Sequence, residues 1–202
     1  MLDLLPVAAA FLVVAVSPGP ANLALAGIAL RDGRRAAMLF AAGLALGLAA
    51  WGVVAATGIG ALLQASATAL TVMKLAGGLY LLWLALGAAR SAARPGAPAP
   101  SRGVRAPFLA GLMLNLSNPK AVAAWMAALS MGLGAGDEAG TLALATVLCA
   151  LIGLGNYVGH ALLFSLPGPT AVYARCRRGV EAAMAALFAL GGLALLRSAL
   201  VR

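Results

Sequence analysis

The chain has 202 residues, of which 63% are hydrophobic and only 9% are charged. A soluble domain carries about 25% charged residues, so this composition excludes a soluble globular protein. The formal net charge of +9 comes from short basic clusters between apolar runs. Such clusters orient membrane helices, and they do not form the continuous basic face that nucleic-acid binding requires. The length allows about six spans of about 20 residues each and no second domain.

Six apolar segments follow one another along the chain and predict an all-α integral membrane protein with membrane-spanning or partly re-entrant helices. Their approximate bounds are 4–30, 36–60, 68–89, 107–134, 140–165 and 180–200. The N-terminal segment has no basic leader region and no small-residue cleavage site, so we interpret it as part of the mature protein. Neither Cys149, in an apolar run, nor Cys176, in a predicted basic loop, suits a disulfide or a metal site.

The basic residues alternate between connections. The first, third and fifth connections carry arginines, whereas the second and fourth have essentially none. The positive-inside rule therefore predicts that the odd-numbered connections lie in the cytoplasm. The third connection, at 90–107, is rich in arginine and proline and divides the chain into repeats at about 1–89 and 108–202. We predict one transmembrane domain, 1–202, in which the two repeats of three segments are inverted.

Each half contains a helix break at a corresponding place, Ser17-Pro18 in the first half and Asn118-Pro119 in the second. A proline lacks a backbone donor and restricts the residue before it, so neither segment can be one regular helix. Ser17 and Asn118 are predicted caps, and the proline after each is the predicted first residue of a half-helix. Matching interrupted helices in inverted repeats mark transporter binding sites. Two unrelated kinks at a coincidental spacing are the alternative.

Lys120 directly follows the second break, about 20 Å into its segment at 1.5 Å per residue. A lysine at that depth faces a cavity or a partner, unless it snorkels to the interface from a shorter segment. An ammonium beside the positive end of a half-helix favours an anion, which in a transporter is a substrate carboxylate. The carbonyl groups that the breaks release, such as that of Asn115, could accept hydrogen bonds from an α-ammonium. The pattern therefore suits a zwitterion.

The predicted substrate site combines the two breaks. Its residues are Ser17, Pro18, Gly19, Pro20, Asn22, Asn115, Asn118, Pro119 and Lys120. His160, the only histidine, and Asp32 are candidates for proton coupling, although His160 could equally be a helix-packing residue. The acids of the apolar segments, Asp3, Asp32 and Glu181, lie near segment boundaries. A cationic side chain would find no buried counter-ion, so we expect a neutral substrate.

These motifs resemble the LysE/RhtB family of amino-acid exporters over nearly the whole chain. In the family's order, the first half carries Pro-Gly-Pro with Asn22, the run Arg31–Arg35, Gly43-x3-Gly47 and the helix Met73–Gly87. The second half carries Gly111, Asn-Pro-Lys120 and the closing run Gly191–Arg197. Pro-Gly-Pro and Asn-Pro-Lys in this order and register form the specific part of the resemblance.

The resemblance implies proton-driven export of an amino acid such as threonine, homoserine or leucine across the bacterial cytoplasmic membrane. It implies a transporter and not an enzyme, with membrane lipid around it and with no organic cofactor, metal or nucleic acid; the oligomeric state is left open. Ala21 replaces a usual asparagine, and Leu48 replaces the aspartate that many members place there. The family's Pro-Gln-Phe after Lys120 is also missing. The departure at Leu48 removes one acidic residue that could couple protons.

Two other functions compete with export. A membrane thiol-disulfide electron carrier of related architecture needs paired cysteines near the two breaks. Residues 15–24 and 113–122 contain no cysteine. A helical bundle without transport activity would not explain why both halves place a capped proline deep in an apolar segment.

Overall fold

The described residues of the computed structural model are mostly helical. They are residues 4–16, 19–57, 67–93, 103–118, 120–125 and 139–200. The helices are α1 Leu4–Val16, α2 Pro20–Ala56, α3 Ala67–Ala93, α4 Pro107–Leu116, α5 Ala139–Leu163 and α6 Pro167–Leu200, with a further helical segment at 120–125. These ranges contain no strand, and the predicted all-α class is confirmed. Among them, three helices are long and apolar enough to cross a membrane: Pro20–Ala56, Gly140–Leu163 and Pro167–Arg197. The protein is therefore a multi-pass membrane protein.

The first predicted connection, at 31–35, is a single-residue break within α2. Gly33 has φ 81° and ψ 178°, and the residues on both sides of it are helical. Only glycine adopts this combination without strain, so the chain turns there without a loop. The predicted loop was wrong, because arginine is a good helix former and can keep its charge at the interface from within a helix. We call residues 20–32 the N-terminal arm of α2.

The fifth predicted connection is also helical. α6 begins at Pro167 and continues through the arginine cluster, with one non-helical residue, Cys176, at φ −109° and ψ 16°. The expectation that Cys176 lies in a loop was therefore wrong, and the predicted segment 180–200 is the C-terminal part of a longer, kinked helix. The fourth predicted segment, 107–134, contains α4, the turn at 117–118 and the helical segment 120–125; residues 119 and 126–134 lie outside the described residues.

The helices pack as two groups. In the first, α2 packs against α4 and α5, and α1 packs against α5; in the second, α3 packs chiefly against α6. We call them the central group and the α3–α6 pair. The largest fully buried side chains of the central group include Phe11, Phe40, Leu44 and Trp125. Contacts between α2 and α6 join the two groups.

The crossing of α2 and α4 depends on two glycines. A Cβ added to Gly43 would lie 2.0 Å from the carbonyl oxygen of Phe108, and one added to Gly111 would lie 2.2 Å from that of Phe40. Neither position has room for a side chain, so the two helices meet backbone to backbone. This close approach brings Asn115, one turn beyond Gly111, against α2.

Candidate functional site

The first break separates α1, which ends at Val16, from α2, which begins at Pro20. Gly19 is the N-cap, with an extended backbone, and its carbonyl oxygen accepts the first helical hydrogen bond from Leu23 at 3.0 Å. The prediction that Pro18 begins the half-helix was wrong by two residues. Pro20 occupies the first helical position and disfavours helical geometry in the residue before it. Ser17 and Pro18 lie outside the described residues.

The second break follows α4, which ends at Leu116. The side-chain oxygen of Asn118 accepts a hydrogen bond from the backbone N–H of Lys120 at 3.1 Å. This is the geometry of an N-cap, and it confirms the predicted capping role of Asn118. The helical segment 120–125 therefore begins with its positive end at Lys120. Pro119 lies outside the described residues.

The two breaks meet at one cavity in the central group. Four predicted site residues line it: Gly19, Asn22, Asn118 and Lys120. A Cβ added to Gly19 would lie 2.9 Å from Nζ of Lys120, so the ammonium rests directly against the first break. The cavity measures about 30 Å³. That volume holds roughly one or two water molecules, so an amino acid would fit only after the walls move apart.

Asn22 links three helices at the edge of this cavity. Its Nδ2 donates to the carbonyl oxygen of Ala15, at the end of α1, over 2.9 Å. Its Oδ1 accepts a hydrogen bond from Nδ2 of Asn156 on α5 at 3.0 Å. Asn22 thereby satisfies a carbonyl that the end of α1 leaves without a helical partner. The buried Oδ1 of Asn156 has no hydrogen-bond donor among the described residues, and Asn156 itself is not part of the cavity lining.

Asn115 lies behind the cavity wall. It is fully buried, and its Nδ2 donates to the carbonyl oxygen of Leu44 and to the hydroxyl oxygen of Tyr157, the latter at 3.1 Å. Tyr157, in contrast, lines the cavity. Asn115 therefore orients Tyr157. Pro20, the last of the predicted site residues that the structure describes, is the first residue of α2 and does not line the cavity.

The sequence did not identify several residues that line the cavity. Leu48 is among them, and its carbonyl oxygen accepts a hydrogen bond from Nε1 of Trp125 at 2.8 Å. The ring of Trp125 packs against that of Phe11, another lining residue, with 4.8 Å between centroids. An apolar side chain therefore lies where the resemblance leads one to expect an aspartate. The adjacent polar residues Asn156 and Tyr157 within an apolar segment were the signal that could have identified the α5 wall.

The two predicted proton-coupling residues lie away from the cavity lining. Nδ1 of His160 is 2.8 Å from the carbonyl oxygen of Asn156 in the same helix, and the ring lies 6.0 Å from that of Phe164. Asp32 directly precedes the Gly33 break, at the end of the N-terminal arm of α2. Their role in proton coupling stays a prediction.

Glu181 is a buried acid that the sequence placed only near a segment boundary. Its side chain is fully buried, and its Oε1 accepts a hydrogen bond from the hydroxyl of Tyr173. Its Oε2 lies 3.6 Å from Nη1 of Arg31. This ion pair joins α6 to the N-terminal arm of α2, so it connects the α3–α6 pair with the central group.

Comparisons with known proteins cover almost the whole chain. The threonine efflux protein of Escherichia coli (strain K12) is 32% identical over an alignment of 203 positions, which covers 96% of this chain and 97% of that protein. The threonine efflux protein of Salmonella typhimurium is 32% identical over 95% of this chain and 96% of its own length. The uncharacterized membrane protein YahN of Escherichia coli (strain K12) is 28% identical over 92% and 85%, respectively.

No solved structure matches the chain. The model of the LysE type translocator family matches residues 12–199. Both helix breaks, whose motifs carry the resemblance to this family, fall within this range. The chain belongs to the LysE type translocator family.

Proposed function

We propose that this protein exports a neutral amino acid, of the threonine, homoserine or leucine kind, across the bacterial cytoplasmic membrane. One observation carries the proposal: the ammonium of Lys120 lies at the capped start of a helical segment and directly against Gly19 of the opposite break. Two related proteins of matching length are named threonine efflux proteins, which supports an amino acid as the cargo.

The substrate carboxylate would bind at the second break. The charge of Lys120 and the positive end of the helical segment 120–125 act on the same small volume, and both favour an anion. Asn118 holds this helix start in place through its hydrogen bond to the backbone of Lys120. Water is scarce in a cavity of about 30 Å³, so the charge is weakly screened there.

The rest of the substrate would contact the α1 and α5 walls. The hydroxyl of Tyr157, which is in the lining, is an acceptor for an α-ammonium. The buried Oδ1 of Asn156 lies outside the lining and would become a second acceptor only when the walls move apart. Phe11, Val14 and Leu48 offer an apolar surface to the side chain. No acidic residue is found among the described residues that line this cavity, so a lysine or arginine side chain would lack a counter-ion. This lining favours a neutral amino acid.

We infer that export is driven by protons, with His160 and Asp32 as the candidate carriers. Both are titratable groups within or beside the predicted spans, and Leu48 lines the cavity where the resemblance leads one to expect an acid. Transport measured with and without an imposed proton gradient tests this coupling.

The test of the proposed site is Lys120→Met in membrane vesicles that contain the purified protein. The substitution removes the charge and keeps much of the apolar stem, so insertion should be unaffected. Loss of a charge-assisted hydrogen bond of about 1.5–3 kcal/mol should lower apparent threonine affinity roughly ten- to a hundredfold. Lys120→Arg should restore only part of it, because the guanidinium is wider and planar.

The matched control is Lys74→Met, the same substitution at the chain's other lysine. It should leave the affinity unchanged once rates are normalised to inserted protein. Wild-type affinity in Lys120→Met would remove Lys120 from the site. A wild-type protein that exports no threonine, homoserine or leucine would contradict the proposed substrate class.

A further inference from the structure

A second and larger cavity lies between the N-terminal arm of α2 and the α3–α6 pair. It measures about 210 Å³, against about 30 Å³ for the cavity at the breaks. Its walls come from α2, α3, α6 and the start of α4, and they include Arg31, Arg90, Phe40 and Phe188. It shares no lining residue with the first cavity, so the proposed export function does not account for it.

The lining of this cavity is amphipathic. Arg31 and Arg90 supply two guanidinium groups, and the other described lining residues are apolar, with no acid among them. Arg90 lies in the last turn of α3. Trp83 lines the cavity seven residues earlier, or roughly 10 Å along the helix at 1.5 Å per residue. The charged end of the cavity thus lies at the predicted cytoplasmic end of α3, and the apolar part lies deeper in the membrane.

The rim of the cavity on α3 faces outward. Trp83 is 63% exposed, and Gly87 and Arg90 are also exposed. These three residues follow one another at helical spacing, so they form one face of α3. On a helix within a bilayer, an exposed apolar face contacts lipid. A lipid molecule can therefore reach this cavity sideways from the cytoplasmic leaflet.

We propose that this cavity binds an anionic phospholipid of the cytoplasmic leaflet, with its phosphate on Arg31 and Arg90 and an acyl chain along the apolar wall. Basic pockets between membrane helices on the cytoplasmic side suit such head groups. The charged end of the cavity lies at the membrane interface and its apolar part lies deeper, as the head group and the acyl chains of a lipid do. A zwitterionic amino acid fits less well, since the described lining offers its ammonium no acidic partner.

The ion pair with Glu181 prepares Arg31 for this role. Nη1 of Arg31 lies 3.6 Å from Oε2 of Glu181, which is fully buried on α6. A guanidinium carries five N–H donors, so this one contact does not exhaust its capacity for a phosphate. Glu181 therefore fixes the position of Arg31 at the wall of the cavity.

The experiment uses the fluorescence of Trp83 as a contact probe. Full-length protein is placed in phosphatidylcholine vesicles that contain equal fractions of brominated phosphatidylglycerol or brominated phosphatidylcholine. The contribution of Trp83 is the difference between the wild-type protein and Trp83→Phe. Brominated phosphatidylglycerol should quench this contribution at lower mole fractions than brominated phosphatidylcholine, with a preference of about fivefold or more.

Two variants remove the cations. Arg90→Gln should lower the preference about fivefold, as expected for one basic residue near an anionic head group. The double variant Arg31→Gln, Glu181→Gln should lower it similarly without leaving a buried carboxylate alone. Arg175→Gln is the matched control, because Arg175 is an exposed arginine of α6 that lies outside this cavity. It should leave the preference unchanged.

A third variant fills the mouth of the cavity. A Cβ added to Gly87 meets nothing within 4 Å, so Gly87→Leu can place a side chain there without a backbone clash. It should reduce the preference, whereas Gly159→Leu, at an equally open glycine on α5, should not. Equal quenching by the two lipids in the wild-type protein would overturn the proposal. So would a preference that survives both cation variants, or release of the quenching by threonine.

Discussion

The central group and the α3–α6 pair differ in how hydrogen bonds are supplied to backbone carbonyl groups. In the central group two proline-containing breaks interrupt the chain, and side chains donate hydrogen bonds to carbonyl groups of neighbouring helices: Asn22 to that of Ala15, and Trp125 to that of Leu48. In the α3–α6 pair two long helices lie side by side, and Arg177 and Arg178 of α6 bind backbone carbonyls at the end of α3. A bilayer offers no water to unpaired backbone groups. Irregular backbone is therefore found where polar side chains meet it, which is also where a substrate could bind.

The ion pair between Arg31 and Glu181 joins these two regions, so its loss should have the largest effect on stability. Arg31→Ala removes the ion-pair partner of the buried Glu181, and because a quarter of the Arg31 side chain is exposed, we expect the lower end of the range for a broken buried pair, about 3 kcal/mol. We expect a clear fall in the thermal unfolding temperature of the purified protein in detergent. Adding Glu181→Gln should recover most of it, because the remaining group is then neutral. Unchanged stability of Arg31→Ala would mean that the two regions hold together without this contact.

The same substitution at glycines of the two regions compares how tightly each is packed. Gly111→Ala would bring a Cβ within 2.2 Å of the carbonyl oxygen of Phe40, whereas Gly192→Ala would bring one within 2.9 Å of that of Gly78. Overpacking costs about 1–3 kcal/mol, so both should destabilise, with Gly111→Ala near or above the upper end. Gly159→Ala meets nothing within 4 Å and is the control. Equal unfolding temperatures for the three variants would show that neither crossing is tight.

The last prediction compares the loss of stability on substituting two tryptophans, Trp125 and Trp83, by phenylalanine. Trp125→Phe loses the hydrogen bond from Nε1 to the carbonyl oxygen of Leu48. That carbonyl keeps its own helical partner, so the lost hydrogen bond itself should cost about 0.5–1.5 kcal/mol. The space that the smaller ring leaves at this fully buried position adds to the loss. Trp83→Phe should cost less, because 63% of the Trp83 side chain is exposed on α3. Thermal unfolding of both variants under the same conditions measures this difference in stability. A larger loss of stability in Trp83→Phe than in Trp125→Phe would contradict the prediction.

The two helix breaks, and the position of Lys120 beside the second of them, could be predicted from the sequence, because prolines and a lysine stand out inside apolar runs. The sequence-based prediction misplaced the helix ends at 31–35 and around Cys176, because charges mark the membrane boundary and do not by themselves end a helix. It did not identify Phe11 or Tyr157 as cavity residues. Tertiary packing decides which face of one helix contacts another, and the sequence of a single apolar segment contains little information about that choice.

The burial of Glu181 and the second cavity were missed for a related reason. An acid beside an arginine cluster is typical of an exposed membrane boundary, and only the packing of α6 against the N-terminal arm of α2 encloses it. The inverted repeat itself stays a prediction. The matching positions of the two breaks agree with it.

The contact between Gly19 and Lys120 has an evolutionary consequence. The ammonium lies where a side chain at position 19 would begin, so any larger residue there displaces the charge before it disturbs the fold. A lineage that loses the lysine gains room at position 19, and one that gains a side chain there loses the use of the lysine. Substitutions in direct contact do not act independently. We therefore expect changes at Gly19 and Lys120 to occur together, although half the chain separates them.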